Sequence, residues 1–301
     1  MIRIATIVTC YNRKEKTISS LRHMYAAQEY YNSTSEEKLD IVLYMTDDGC
    51  TDGTSEAVRM AFPDKEIHIQ ESGGDLFWAR GMNLSWQVAA KDGKWDYFLL
   101  LNDDTDMTAD CFSQLFEAER YSSDCHGKEA LTAGIIASKE NHGKVTYGGE
   151  VFLTRFTAKL KRMLPSGRPQ RCDLLNANIM IVPDSIFQDI GCLYPYMHGC
   201  ADSDYSVMAR KAGFPVYVTS RICGYCDFDH WTKADDKVNI VKMTLQERKA
   251  YFSHPLHSNK DYLTLIRRMT PWRYPFVWIF RKMVIYCPSL YYRITFRRYR
   301  Q

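Results

Sequence analysis

Short apolar runs alternate with polar, glycine-containing segments along the first hundred residues. Runs with the length of β-strands lie at residues 2–10, 39–45, 67–70 and 95–101. The segments between them carry apolar residues at helical spacing, at residues 15–27, 55–62 and 82–91. Strands and helices that alternate at these intervals are typical of parallel strands joined by right-handed crossovers. The pattern therefore predicts an α/β fold, with a central sheet that has helices on both faces.

The second part of the chain continues this pattern less regularly. Strands are predicted at residues 130–138, 144–153, 172–182 and 214–220, and helices at residues 109–121, 183–190 and a stretch that ends at Gly213. Between them, the basic segment 155–171 contains Pro165, Gly167 and Pro169, which indicates a loop.

Acidic residues cluster where two of the early strands end. The apolar run 97–101 is followed directly by N-D-D-T-D at residues 102–106, and the run 39–45 is followed by D-D-G-C-T-D-G-T at residues 47–54. Open α/β sheets bind ligands at the carboxyl ends of their strands. Acids this close repel one another, and a divalent cation would offset that cost; oxygen ligands suit Mg²⁺ or Mn²⁺ better than zinc. The alternative for either stretch alone is a solvated turn that caps the next helix.

Composition and charge add an asymmetry to this picture. The chain has 301 residues, of which 46% are apolar and 25% charged, as in ordinary globular proteins. Residues 262–301 contain nine Arg or Lys and no Asp or Glu; because the net charge of the chain is +3, residues 1–261 carry −6. A basic, aromatic tail suggests an anionic surface as its partner.

The ten cysteines follow no regular framework, and residues 1–10 resemble a first strand rather than a signal peptide. We therefore expect reduced thiols and a cytoplasmic location. Neither a dinucleotide fingerprint nor a G-x-x-x-x-G-K-[ST] phosphate loop follows any strand, and no nucleic-acid module is recognisable.

Five short motifs occur in one order along residues 3–230. They are T-C-Y-N-R at 9–13, D-D-G-C-T-D-G-T at 47–54, G-M-N at 81–83, N-D-D at 102–104 and A-D-S-D-Y-S at 201–206. Together they resemble the motifs of the inverting family 2 glycosyltransferases, and most of all the bacterial rhamnosyltransferase-like members that build cell-surface polysaccharides. Two positions depart from the family pattern: Cys50 stands in place of Ser, and Asn102 occupies the first slot of the metal-binding D-x-D.

The resemblance implies the GT-A fold and a role for each motif. The donor, a UDP- or dTDP-sugar, would be bound by Thr9, Tyr11, Asn12, Asp47, Asp48, Arg80, Asn83 and Asp103. The Mn²⁺ or Mg²⁺ ion would be held by Asp104, Asp106 and His230. Asp202 would be the general base that deprotonates the acceptor hydroxyl, with Asn178 and Asp204 on the acceptor side. A turn or cap role is expected for Asp52.

The resemblance also divides the chain. Residues 1–240 would form the GT-A catalytic domain, with a nucleotide-binding half (1–110) and an acceptor-binding half (111–240). Residues 241–301 would form a helical extension. Arg281 and Lys282 interrupt its best apolar run, so we expect it to lie on an anionic bilayer rather than to span one. A lipid-linked saccharide acceptor would make that location useful. Packing on the catalytic domain or a homodimer contact are the alternatives.

Two other functions remain open at this stage. Residues 104–108, D-T-D-M-T, fit the D-x-D-x-[TV] pattern of haloacid-dehalogenase-like phosphatases, in which Asp104 would be the nucleophile and Asp106 the acid/base. That hypothesis leaves the motifs at 47–54 and 201–213 unexplained. A non-catalytic nucleotide-sugar-binding protein would keep the early motifs but would have no use for Asp202.

Overall fold

The computed structural model describes residues 1–154, 159–227 and 240–295. The contacts divide the chain into two compact units. The first, which we call the sheet unit, comprises Met1–Pro195 and Ala201–Asp227; the second, the helical unit, comprises Tyr196–Cys200 and Phe228–Gln301.

The strands of the sheet unit are β1 (Ile2–Cys10), β2 (Leu39–Asp47), β3 (Ile67–Glu71), β4 (Tyr97–Leu101), β5 (Asp106–Met107), β6 (Leu131–Ala137), β7 (Val145–Tyr147), β8 (Gly149–Thr154), β9 (Lys159–Arg162), β10 (Gln170–Arg171), β11 (Leu174–Leu175), β12 (Ile179–Pro183) and β13 (Val216–Tyr225). Its helices are α1 (Lys14–Thr34), α2 (Thr54–Ala61), α3 (Phe77–Asp92), α4 (Cys111–His126), α5 (Asp184–Ile190) and α6 (Ala201–Lys211).

The main sheet is mixed. Its order is β10-β13-β6-β12-β4-β1-β2-β3, with β5 paired to β13 and β7 to β6. The β4-β1-β2-β3 half is entirely parallel, as predicted. Strand β12 lies antiparallel between β4 and β6, and it joins the two halves. Strands β11, β8 and β9 form a separate antiparallel sheet.

Successive side chains of a β-strand point to opposite faces of the sheet. The strands of the main sheet therefore present apolar side chains on both faces, and helices cover both. In β1, Ile4 and Val8 belong to the same buried cluster as Leu21 and Met24 of α1. On the other face, Thr9 lies against Gly81 of α3.

Several predicted boundaries were wrong, including those of a strand, a loop and a helix. The single strand expected at 144–153 is two strands, because Gly148 adopts φ +140°, a conformation that favours glycine and breaks the strand. The expected loop at 155–171 contains β9 and β10. Helix α1 continues to Thr34 rather than ending near residue 27, and Gln28 in its added turns donates to the carbonyl of Leu39 at 3.0 Å.

The helical unit contains α7 (Leu245–Ser253), α8 (Asn259–Met269), α9 (Tyr274–Tyr286) and α10 (Pro288–Ile294). Helix α7 begins with a capping box between Thr244 and Glu247. A small apolar core contains Ile240, Phe252 and Val284. Within the described residues, no helix is both long and apolar enough to cross a membrane.

Candidate active site

The carboxyl ends of β1, β2 and β4 lie side by side at one edge of the main sheet. The parallel register pairs Cys10 with Asp47, and β4 runs parallel to β1 on its other side. The motifs that follow these three strands are therefore brought to the same edge. This is the edge at which open α/β sheets bind ligands.

Asp103 and Asp104 form a buried acidic pair directly after β4, and both contact Arg13. The Arg13 guanidinium donates from Nη1 to Asp104 Oδ2 at 2.8 Å and to Asp103 Oδ1 at 3.3 Å. Burial raises the pKa of Asp103 to about 7; the charge of Asp104 also raises it, and Arg13 lowers it. The charges of Arg13 and Lys16 therefore offset the cost of burying Asp103 only in part.

Hydrogen bonds from distant strands and helices fix the loop that carries this pair. Cys226, at the end of β13, donates from Sγ to Asp104 Oδ1 at 3.4 Å. Trp78 of α3 donates from Nε1 to Asn102 Oδ1 at 2.8 Å. Asn178 accepts the backbone N–H of Asn102 on its own carbonyl at 3.0 Å and donates from Nδ2 to Thr105 Oγ1 at 3.2 Å. The predicted acceptor-side Asn178 thus supports the acidic loop in this structure.

The turns after β1 and β2 are joined by a hydrogen bond. Asn12 adopts φ +49°, and its Oδ1 accepts the backbone N–H of Thr51 at 2.7 Å. Asp47 is buried and accepts from the Cys50 N–H at 2.6 Å and from the Ser55 hydroxyl. Both predicted nucleotide-binding side chains are thus engaged in turn structure, and their nucleotide contacts stay predictions.

Asp48 fixes the start of α3. Its Oδ2 accepts the N–H of Phe77 at 2.9 Å, and its Oδ1 accepts the N–H of Leu76 at 3.2 Å and the Ser72 hydroxyl at 2.7 Å. The helix therefore begins at Phe77 rather than at the predicted Met82. A carboxylate at the first free amides of a helix is electrostatically favourable.

An exposed aromatic ring stands beside this region. Tyr11 is 56% exposed at the end of β1, and a Cβ on Gly74 would lie 3.7 Å from its ring. A Cβ on Gly49 would meet the Gly74 backbone N at 2.8 Å, so Gly49 with φ +78° is required for this close approach. Tyr11 is accessible to a planar ligand at this edge.

The G-x-N motif lies in α3. Gly81 packs against the Thr9 side chain, whose Cβ would be 3.0 Å from a Cβ at position 81. Arg80 is exposed on the first turn of the helix. Asn83 is buried and donates to the Leu193 carbonyl at 2.8 Å, while its Oδ1 has no hydrogen-bond partner among the described residues. Thr9 thus packs against α3 and Asn83 contacts the polypeptide, and the donor contacts of Thr9, Arg80 and Asn83 stay predictions.

Asp202 lies in the first turn of α6. Its Oδ1 accepts the N–H of Ser203 at 2.7 Å, and its Oδ2 accepts from Asn176 Nδ2 at 3.4 Å. Burial raises the pKa of this carboxyl, the charge of Glu150 adds to that effect, and the hydrogen bonds oppose it. Asp204 is buried in the same turn.

The other predicted metal ligands differ in their surroundings. Asp106 makes an ion pair with Lys139 at 2.6 Å and accepts from the Ser19 hydroxyl at 3.2 Å, so its contacts are separate from those of Asp103 and Asp104. His230 lies outside the described residues. Among the residues that are described, no group of three or more His, Cys, Asp or Glu side chains is arranged as a metal site.

Asp52 has the expected turn role. Its Oδ2 accepts the N–H of Lys14, the first residue of α1, at 3.0 Å, and its Oδ1 accepts the N–H of Thr54, the first residue of α2, at 3.1 Å. The hydrogen bond that the Thr54 hydroxyl donates to Oδ1 lowers the pKa of Asp52 most, and the backbone N–H of Lys14 lowers it further.

The sequence did not indicate the roles of three residues of the site. Arg13 belongs to the first motif but received no role, because nothing in a sequence shows that it reaches acids some 90 positions away. Asn176 falls within the predicted strand 172–182, but in the structure it lies between β11 and β12 and donates to Asp202. Cys226 is one of the ten cysteines that follow no regular framework, and it is buried and donates to Asp104. A polar side chain within an otherwise apolar strand was the available signal for Asn176.

Comparison with known proteins shows which solved structures have a similar fold. No protein-family model and no curated protein matches this chain. Among solved structures, S. aureus TarS in complex with UDP superposes with a TM-score of 0.56 at 11% identity, covering 94% of this chain and 88% of that one. TarS in complex with UDP-GlcNAc gives 0.52 at 11% identity, over 89% of this chain and 72% of that one.

A third structure comes from another organism. The mannosyltransferase PcManGT from Pyrobaculum calidifontis, in complex with GDP-Man and Mn²⁺, gives a TM-score of 0.51 at 15% identity, over 91% of this chain and 72% of that one. At such identities the likeness concerns the fold. The predicted fold class is thereby confirmed: this chain has the mixed α/β, Rossmann-like GT-A fold of nucleotide-sugar glycosyltransferases.

Proposed function

We propose that this chain is a metal-dependent, inverting glycosyltransferase that moves a sugar from a UDP- or dTDP-sugar to a saccharide acceptor, which we take to be lipid-linked. The observation that carries the proposal is the buried pair Asp103 and Asp104 at the carboxyl end of β4. The Arg13 guanidinium contacts both carboxylates, and burial still raises the pKa of Asp103 to about 7. A fold shared with nucleotide-sugar complexes supports the same conclusion.

The residues present fit a divalent cation of the Mg²⁺ or Mn²⁺ type. Such ions are commonly held by one or two carboxylates together with phosphate oxygens and water. Asp104 would be the main protein ligand, with Asp103 beside it, and the ion would neutralise charge on the departing nucleoside diphosphate. The Mn²⁺ in the PcManGT complex supports this choice. Asp106 would need to leave Lys139 before it could act as a ligand.

Asp202 would act as the general base. Burial raises its pKa, which strengthens a carboxylate as a proton acceptor. The N–H of Ser203 and the amide of Asn176 orient its two oxygens. The acceptor oxygen would bond to the anomeric carbon as its proton passes to Asp202. The bond from that carbon to the diphosphate would break on the opposite face, and the diphosphate would leave with the electron pair. This single displacement inverts the configuration.

The chain's own groups would position the donor. The exposed Tyr11 ring can stack against a base; Thr9 precedes it near the end of β1, and Asn12 follows it on the turn. Arg80, exposed on the first turn of α3, can contact a diphosphate near the helix N-terminus. The membership of family 2, the rhamnosyltransferase-like specificity and a role in surface polysaccharide synthesis are parts of this proposal that rest on the motif resemblance.

The first experiment tests donor and metal binding. Calorimetry with UDP, dTDP and GDP, with and without Mn²⁺, should show binding of UDP or dTDP that requires the metal. Asp104→Ala should abolish the metal-dependent part, whereas Asp124→Asn, which removes an exposed acid of α4, should not change it. Failure of every nucleoside diphosphate to bind in the presence of Mn²⁺ would refute the proposal. Binding of GDP alone would correct the nucleotide.

The second experiment separates an enzyme from a binding protein. Asp202→Asn keeps an oxygen for the Ser203 N–H but removes the base. It should bind donor normally and transfer sugar about 10²- to 10⁴-fold more slowly, the usual contribution of general base catalysis. Wild-type turnover by this variant would remove Asp202 from that role. Release of phosphate from a phosphomonoester, lost in Asp106→Asn, would support the phosphatase alternative instead.

A further inference from the structure

Helix α9 of the helical unit exposes large apolar side chains along most of its length. Phe276 is 62% exposed, Ile279 49% and Trp278 43%. We call the exposed set the α9 face; it consists of Phe276, Trp278, Ile279, Phe280 and Tyr286. Residues 276, 279 and 280 are neighbours on a helix surface, and so are 278, 282 and 286. The face is therefore continuous rather than scattered.

The opposite side of α9 is occupied by the core of its own unit. Val284 is buried with Ile240 and Phe252. The guanidinium of Arg281 lies 4.1 Å from the centre of the Tyr262 ring. The helix thus has a packed side and an exposed side, and the exposed side is the one that carries its largest apolar groups. Soluble proteins rarely expose such a continuous set without a binding purpose.

The α9 face belongs to a part of the chain that is rich in basic residues. From residue 262 to the last residue the sequence has nine Arg or Lys and no Asp or Glu. Lys282 lies within the face, with its Nζ 5.6 Å from the Trp278 ring centre and 6.0 Å from that of Tyr286. An ammonium group above an aromatic surface keeps its charge at the rim while its stem covers apolar area. The complementary partner is therefore apolar and anionic together.

Two kinds of binding partner for the α9 face can be compared: a second copy of the chain and a lipid bilayer. A second copy of the chain that paired through the same face would place Lys282 of both copies in one contact surface, and residues 262–301 supply no acid to pair with them. A bilayer with anionic headgroups supplies both apolar depth and negative charge. Trp and Tyr are favoured at that interface, and so are helices with aromatic and basic residues.

The length of α9 fits binding in the plane of a bilayer. Its 13 residues span about 20 Å, whereas a bilayer core is about 30 Å thick. We propose that the α9 face, with the adjoining exposed Leu290 and Ile294 of α10, binds the surface of an anionic lipid bilayer. This surface would be an attachment site independent of sugar transfer, and it requires no contact from the sheet unit.

The test is co-sedimentation of the full chain with vesicles. Wild type should bind vesicles of equal parts phosphatidylglycerol and phosphatidylcholine, bind pure phosphatidylcholine much less, and dissociate at about 0.5 M salt, where screening shortens electrostatic reach to a few ångströms. Lys282→Gln should weaken binding about fivefold, the expected effect of one basic residue near an anionic surface. Ile279→Ser should weaken it about tenfold through lost apolar burial.

Matched controls come from the sheet unit. Met60→Ser and Lys91→Gln alter an exposed apolar residue and an exposed basic residue there, and both should bind vesicles as wild type does. Circular dichroism and thermal midpoints should be unchanged in all four variants because each position is exposed. If one variant fails to fold, the other still tests the face.

Three outcomes would overturn the proposal. The first is no preference for anionic vesicles, and the second is binding that neither Lys282→Gln nor Ile279→Ser weakens. The third is a stable dimer by analytical ultracentrifugation that Ile279→Ser dissociates while vesicles are not bound; the face would then be a contact between copies. No donor or acceptor enters the assay, so its failure leaves the proposed transferase activity untouched.

Discussion

Replacement of Asp103 by Asn should change how the stability of the metal-free protein depends on pH. Burial raises the pKa of Asp103 from 3.8 to about 7 in the folded state. Between these values the folded protein holds a proton that the unfolded chain has released. The free energy of unfolding therefore falls as pH rises through this window, and the loss is complete above about pH 7. Below about pH 3.8 Asp103 is protonated in both the folded and the unfolded state, so it does not change the free energy of unfolding.

The size of the effect follows from the same two values. One pKa unit corresponds to about 1.4 kcal/mol, so a shift of about three units corresponds to about 4 kcal/mol over the whole window. Between about pH 5 and pH 8 the expected loss is about 3 kcal/mol. Asp103→Asn removes the titrating group while keeping an oxygen that can accept from Arg13. The variant should therefore lose about 3 kcal/mol less than wild type over that interval.

Urea unfolding in the presence of EDTA, at about pH 5 and pH 8, measures this difference. Other groups that titrate in the same range contribute equally to the unfolding free energies of wild type and variant, so their contributions cancel in the difference. Asp124→Asn removes an exposed acid of α4 and should show the wild-type pH dependence. Parallel pH profiles for Asp103→Asn and wild type would show that Asp103 is not held at a raised pKa, and would remove the physical basis for a buried acidic pair that attracts a cation.

Three further changes test the local structure. Glu119→Gln should also flatten the pH dependence, because burial and the charge of Glu129 raise the Glu119 pKa to about 7 and stability is lost as pH rises towards it; the effect, about 3 kcal/mol, is measured as above. Gly81→Ala should lower the unfolding free energy by about 1–3 kcal/mol, since its Cβ meets Thr9, and Thr9→Ala should restore part of the loss in the double variant. Asp52→Ala should cost about 1–2 kcal/mol in urea unfolding, because the first amides of α1 and α2 both lose their acceptor; an unchanged midpoint would contradict this role.

The sequence predicted the fold best where a polar motif directly follows an apolar strand. Strands β1, β2 and β4 begin and end within a few residues of their predicted bounds, and each delivers its polar motif to the same edge. The alternation of strands and helices also predicted the parallel half of the sheet. Because these features depend on periodicity over a few residues, a single sequence records them.

Boundaries set by distant contacts were missed. Helix α3 begins at Phe77 because Asp48, 29 positions earlier, accepts its N–H. The predicted start at Met82 considered apolar spacing alone. Likewise, β12 pairs antiparallel between β4 and β6, and no local pattern specifies that order. Polar side chains that act across the fold leave no periodic trace in the chain.

Arg13 shows what this limit means for the site. The sequence indicates a cluster of acids that needs positive charge, but it does not indicate which cation supplies it. The structure answers with one guanidinium that contacts both Asp103 and Asp104. Burial is the main cause of the raised pKa of Asp103, and the charges of Arg13 and Lys16 offset that cost only in part. A divalent cation is therefore favoured at the same place, and because Asp103 loses its proton only around pH 7, metal binding should strengthen as pH rises through neutrality.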